Sequence, residues 1–157
     1  MPYLKKPMLK GIDPLITPEL LKLLMEMGHD EALLLVDANF TTLRLGAGKP
    51  VIRLPGTGMA QVVKAVNALL PLAADVAHPV AFMQVSDTAP PYRSALQREV
   101  LEVLEGSLLP HQQAEPVERY AFYDRVQKAC AIVVTGELQP FGNFILRKGV
   151  IGETLRR

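Results

Sequence analysis

The sequence predicts a single-domain α/β sandwich whose central, mostly parallel sheet is flanked by helices. Three observations carry that expectation. Short apolar runs of strand length alternate with longer stretches of helical periodicity, the pattern of strand–helix–strand units. A chain of 157 residues with 49% hydrophobic content can build one sizeable core. No repeat, low-complexity tract or linker divides the chain, so residues 1–157 are read as one domain, with 1–7 a short N-terminal extension.

The elements follow in order. Thr17-Pro18-Glu19 is a strong helix start: a capping hydroxyl, a proline whose missing amide costs nothing there, and an acid at the positive end of the dipole. Leu20, Leu21, Leu24 and Met25 then recur at helical spacing, and Gly28 is expected to close the helix as a left-handed cap. Ala32 to Val36 is apolar at successive positions and reads as a strand covered on both faces. Asn39 to Pro50 reads as irregular, and Val51 to Leu54 as a short strand. A second helix runs from Met59 to about Leu70, with Met59, Val62, Val63, Val66 and Leu70 on one side and Pro71 as its stop. Pro79 to Val85 is a strand candidate, and Tyr92 to Glu105 a helix with Leu96, Val100, Leu101 and Leu104 inward. Gly106 to Pro116 reads as a linker, Phe122 to Lys128 as a short helix, and Ala131 to Thr135 and Asn143 to Leu146 as the last strands.

Composition removes several classes of function. Seventeen basic against sixteen acidic residues leave a formal net charge of +1, which gives no field to draw in nucleic acid or an anionic membrane. The longest apolar stretch, near Met59 to Val76, is broken by Lys64, Asn67, Pro71 and Asp75 and is no membrane span. Met1 to Lys10 lacks an apolar signal core and a cleavage site, so the expected location is the cytoplasm. The lone Cys130 excludes an internal disulfide and falls in an apolar run, where a core thiol is expected. His29, His78 and His111 are far apart and none has a second ligand at zinc-site spacing, so no metal is expected.

The residues that carry chemistry are few. Gly46-Ala47-Gly48-Lys49-Pro50 lacks the phosphate-loop arrangement, and Gly56-Thr57-Gly58 before a helix has a better position for an anion but reads more simply as loop punctuation. His29 and Asp37 bracket the strand at 32–36. An imidazole moves a proton near neutral pH, and a carboxylate at the end of a buried strand sits where open α/β sheets hold ligands. The five strand residues between them keep the two more than about 15 Å apart in one subunit, so they could meet only across an oligomer interface. The plainer readings are a surface histidine on a turn and a strand-end cap. Arg119, Tyr120, Phe122, Tyr123 and Arg125 form an aromatic and basic cluster in which a tyrosine hydroxyl could face a pocket or simply pack.

Together these segments resemble a known family. The likeness rests on Met8-Leu9-Lys10-Gly11-Ile12 with Pro14 to Leu21, on Met27-Gly28-His29 through Asp37-Ala38-Asn39-Phe40, on Arg119-Tyr120-Ala121-Phe122-Tyr123 with Arg125 and Gln127-Lys128-Ala129, and on Thr135-Gly136-Glu137 through Phe141-Gly142-Asn143 to Gly149. The chain is similar to the family of D-ribose pyranases and L-fucose mutarotases, and more closely to the fucose mutarotase branch. The resemblance implies a sugar mutarotase domain on an α/β sandwich that assembles into ring-shaped homo-oligomers, decamers among them, with sites at subunit borders. It implies interconversion of the α and β anomers of L-fucose, and possible exchange of D-ribose ring forms, with no cofactor.

Carried over by position, the resemblance makes His29, Asp37 and Tyr123 the catalytic candidates. Arg119, Asn39, Phe141 and Asn143 become the sugar-binding candidates. The chain departs from its relatives at Asn39, where histidine is usual, and at Phe141, where tyrosine is usual. The lost hydroxyl bears on sugar preference. The expected chemistry is hemiacetal opening by one base and one acid: His29 in one role with Asp37 orienting it, Tyr123 in the other. A non-catalytic monosaccharide-binding or transport-accessory protein on the same scaffold is the competing reading.

Overall fold

Leu33, Leu34, Leu35 and Val36 have no exposed surface, the outcome expected of an unbroken apolar run in the interior of a sheet, and they make β1 (Ala32–Val36) the centre of the molecule. The computed structural model describes residues 8–152, so the extension expected at 1–7 lies outside the described residues. Around β1 the sheet adds β2 (Val51–Leu54), β3 (Val80–Met83), β4 (Glu115–Val117), β5 (Ala131–Thr135) and β6 (Phe144–Arg147), in the order β2-β5-β1-β6-β3-β4. The pairs β1/β5, β2/β5 and β3/β4 are parallel, while β6 lies antiparallel between β1 and β3. Five strands therefore share one direction and β6 alone opposes them, in line with the mostly parallel sheet expected.

Strand alternation divides the interior into two cores. Leu33, Leu35, Ala131, Val133, Phe144, Leu146, Val80 and Phe82 face one side, where α1 (Pro18–Glu26), α3 (Met59–Asn67) and α4 (Ala95–Glu105) bring Leu20, Leu24, Met59, Val62, Val66, Val100 and Leu104 onto them. Leu34, Val36, Ile132, Val134, Ile145, Ala81 and Met83 face the other, covered by Phe122 and Val126 of α5 (Arg119–Val126) and by Phe40 and Leu45 beside it. Among the described residues no helix is long and apolar enough to cross a membrane.

Several boundaries differ from the sequence reading, each for a tertiary reason. α1 stops at Met27, whose backbone is extended; Gly28 does not act as a left-handed cap, and Asp30 is the residue of that turn with positive φ, at 66°. The Lys148 ammonium donates to the carbonyls of Leu24 and Met27, so a cation from the far end of the chain satisfies the helix end instead of a glycine. Met25, expected inward, is 77% exposed, because the buried stripe runs through Leu20, Leu24 and Met27.

Thr42–Leu45 forms a single helical turn, α2, inside the stretch read as irregular. α4 begins three residues later than expected, at a capping box in which Ser94 and Gln97 bond each other's backbone N–H. The supposed linker at 106–116 ends in β4, a short edge strand that tolerates Pro116. α5 starts at Arg119 because the Glu118 carboxylate accepts from the N–H groups of Tyr120 and Ala121.

Candidate active site

β1 ends where Asp37 begins. Its carboxylate is 2% exposed and bound on both oxygens: Oδ1 accepts from Asn39 N at 2.9 Å and Oδ2 from Gly142 N at 3.0 Å. The Asp37 N–H in turn donates to Asn143 Oδ1 at 3.1 Å, so the end of β1 and the start of β6 are joined through side chains of both. Burial pushes the Asp37 carboxyl above the usual carboxylate range, against the opposing pull of the Gly142 and Asn39 amides. A Cβ at Gly142 would lie 2.8 Å from Leu96 Cδ2, so a larger residue there would have to push the Leu96 side chain aside.

Around that carboxylate lies a pocket of about 280 Å3, at the small end of ligand sites and of a size for a single sugar ring. Asp37, Asn39, Arg119, Tyr123, Phe141 and Asn143 line it, together with Met83. Asn39 is fixed by donating from Nδ2 to the Leu138 carbonyl at 3.0 Å. On α5, Arg119 and Tyr123 share a face one turn apart: Arg119 Nε donates to the Tyr123 hydroxyl at 2.8 Å, and its guanidinium lies 5.5 Å from the centroids of the Tyr120 and Tyr123 rings. Phe40 and Tyr120 each meet the Tyr123 ring edge-on at 5.9 Å, which fixes its orientation. Phe141 forms part of the wall with φ at 57°, and Asn143 Nδ2 lies 3.8 Å from Met83 Sδ.

His29 is elsewhere. It sits on the turn that opens β1, half-exposed, and its Nε2 donates to Asp75 Oδ1 at 3.1 Å. The bond to His29 holds the Asp75 carboxyl below the usual range. Six of the seven site residues expected from the sequence thus line one pocket, while His29 stands at the opposite end of β1 in the same subunit. Within one subunit the carboxylate bonded to His29 is Asp75.

Sequence reasoning passed over Asp75 because 46 residues separate it from His29 and no motif links them. It passed over Met83 because an apolar residue at a strand end carries no signal of a site. The glycine loops have structural roles. Glu137 Oε1 accepts from Met59 N at 3.2 Å and so occupies the start of α3, and Lys49 Nζ donates to the Gln127 and Ala129 carbonyls at the end of α5. Among the described residues no three His, Cys, Asp or Glu side chains gather as they would around a metal ion. Cys130 is half-buried, and burial pushes its thiol up.

Comparison with known proteins gives a consistent picture. The model of the RbsD / FucU transport protein family matches residues 10–151. An L-fucose mutarotase of Actinobacillus pleuropneumoniae serotype 5b (strain L20) is 43% identical over 145 residues, covering 91% of this chain and 97% of that protein. The crystal structure of a fucose mutarotase of Streptococcus pneumoniae in complex with L-fucose superposes with a TM-score of 0.81 at 34% identity, covering 92% of this chain and all of that one. FucU from Bifidobacterium longum superposes with a TM-score of 0.79 at 32% identity, over 91% of this chain and 100% of the other.

Proposed function

The chain belongs to the RbsD / FucU transport protein family, and on that premise we propose that it is a sugar mutarotase that interconverts the α and β anomers of L-fucose. The observation that carries this reading is the pocket at the end of β1, whose lining of one buried carboxylate, two amides, a guanidinium and a phenol suits the hydroxyls of a single monosaccharide. The likeness to L-fucose mutarotases supports the reaction type. D-ribose remains the second substrate, because Phe141 supplies no hydroxyl with which to select between the two sugars.

The reaction moves two protons and breaks one bond. A base takes the proton of the anomeric hydroxyl, C1 becomes a carbonyl, the C1–ring-oxygen bond breaks, and an acid protonates the released oxygen. Rotation about C1–C2 and the reverse steps on the other face of the aldehyde give the other anomer. Nothing is oxidised or lost, and side chains can supply both proton movements without a cofactor. Tyr123 takes one role, its hydroxyl held in place by the bond it accepts from Arg119 Nε. His29 takes the other and enters the pocket of an adjacent copy, oriented by its bond to Asp75. Asp37, with both oxygens bound to backbone amides, holds a sugar hydroxyl and keeps Asn39 and Gly142 in place. Asn39 and Asn143 complete the hydrogen bonding and Phe141 packs on the ring.

This arrangement requires a homo-oligomer with sites at subunit borders, and a closed ring such as a decamer provides it. The exposed side chains of Leu43, Tyr120 and Leu138 lie beside the pocket-lining segments and give a second copy an apolar surface to bury, worth about 1.5–3 kcal/mol for each residue covered. The expected compartment is the cytoplasm, which a lone cysteine fits.

Saturation-transfer NMR at the anomeric protons of L-fucose, then D-ribose, tests the function. Wild-type protein should exchange the anomers far faster than buffer, and His29→Ala should lose that exchange by about 10²–10⁴-fold while still binding sugar. A binding protein would bind without accelerating exchange. No acceleration with either sugar, from protein shown to be folded and assembled, sinks the mutarotase reading.

A further inference from the structure

α4 buries Val100, Leu101, Leu104 and one polar residue, Gln97, which has no exposed surface. Its amide is committed in three directions. Oε1 accepts from Ser94 N at 3.0 Å, while Nε2 donates to the Met83 carbonyl at 2.7 Å and to the Phe141 carbonyl at 3.0 Å. A capping box uses only the oxygen of the third helical residue, and glutamate serves it as well as glutamine. The nitrogen is therefore surplus to the helix. Both carbonyls it holds belong to residues that line the sugar pocket.

Those two residues sit on different strand ends. Met83 closes β3, and its N–H donates to the Asn143 carbonyl at 3.2 Å. Phe141 precedes β6 with φ at 57°, in the left-handed conformation that disfavours a non-glycine residue. Gly142 and Asn143, which follow it, both bond Asp37. One buried amide thus ties the strained wall residue to the pocket floor.

We propose that Gln97 is a positioning residue of the sugar pocket, its amide nitrogen setting the distance between Phe141 and Met83 and with it the placement of Asn143 and Asp37. The kinetic consequence rests on the mutarotase reading. The structural one does not.

Two substitutions test it. Gln97→Met keeps the volume and removes the bridge. Gln97→Glu keeps the capping acceptor but turns an oxygen toward two carbonyls. Ionised, that carboxyl repels both; protonated, it donates to one. Burial raises its titration above the ordinary glutamate range, so the bridge should return in part as pH falls. The other charged groups nearby are Arg93, Arg98 and Glu99 on its own segment, Asp37 behind Gly142, and Glu137 in the turn before Phe141; all remain in wild type, which is the reference profile.

The readouts are anomeric exchange of L-fucose against pH and the Met83 methyl resonance, which reports the pocket in the full assembly. Gln97→Met should lose about 10²-fold in kcat/KM, the cost of a wall displaced by about 1 Å. Gln97→Glu should be slow at high pH and recover as pH falls, with a Met83 methyl titration added to the wild-type profile. Folded variants with wild-type exchange at every pH and no added Met83 titration would overturn the proposal. If Gln97→Met does not fold, the Gln97→Glu profile decides alone. If wild type itself exchanges neither sugar, the mutarotase reading fails, and the Met83 methyl still accepts or rejects the role of Gln97.

Discussion

Asp37 concentrates the physical chemistry of this site in one residue. Its carboxyl is raised by burial, so between the ordinary aspartate range and its folded value the native chain holds more protons than the unfolded one. The stability it contributes is complete below the unfolded value and is lost as pH rises through the folded value. Thermal melts across that window should show this decline in wild type and a flatter profile in Asp37→Asn. An equal slope in both would place the pH dependence elsewhere. Phe141 offers a test of specificity. Phe141→Tyr adds a hydroxyl at the wall, and a hydrogen bond worth about 1 kcal/mol should raise L-fucose exchange several-fold relative to D-ribose. An unchanged ratio of the two exchange rates would mean that the new hydroxyl does not reach the sugar.

At the scale of elements, helix ends determine where the candidate side chains stand. Glu118 caps α5 and so sets the phase that puts Arg119 and Tyr123 on one face while Phe122 and Val126 turn into the core. Lys148, just past β6, caps α1 and fixes the turn that displays His29. Arg147 adds a bond from Nε to Asp30 Oδ1 at 2.7 Å in the same turn. Lys148→Met leaves two carbonyls without a charged donor and should cost about 1.5–3 kcal/mol in urea denaturation. Because the His29 turn loosens with it, anomer exchange should fall as well, although Lys148 lines no part of the pocket. A stability loss with full exchange would separate the cap from the turn.

For the whole molecule, the main fact is the separation of His29 from the pocket by the length of β1. A single subunit has the pocket-lining carboxylate, amides, guanidinium and phenol at one end and the imidazole at the other. On the proposed mechanism assembly is part of catalysis, and activity should follow it. Leu43→Glu with Leu138→Glu places charge on the apolar rim without touching a pocket-lining side chain. The variant should shift to smaller species in size-exclusion chromatography with light scattering, and its exchange should fall in parallel. Dissociated subunits with full activity would require both proton-transfer groups to lie within one chain.

Read alone, the chain carries the layered α/β class, α1, β1, α3, α4 and β5 near their observed positions, and the residues worth weighing as a site. It does so because burial imposes periodicity: β1 and β5 are apolar throughout, and α3 and α4 carry their stripes in plain order. Tertiary structure decided the rest. No local pattern says that Lys148 ends α1, that Asp75 bonds His29, or that Gln97 reaches two strand ends, because each joins residues far apart in the chain. Local propensity encodes which face of an element is buried. Which polar groups meet across the sheet is set only when its strands are in register.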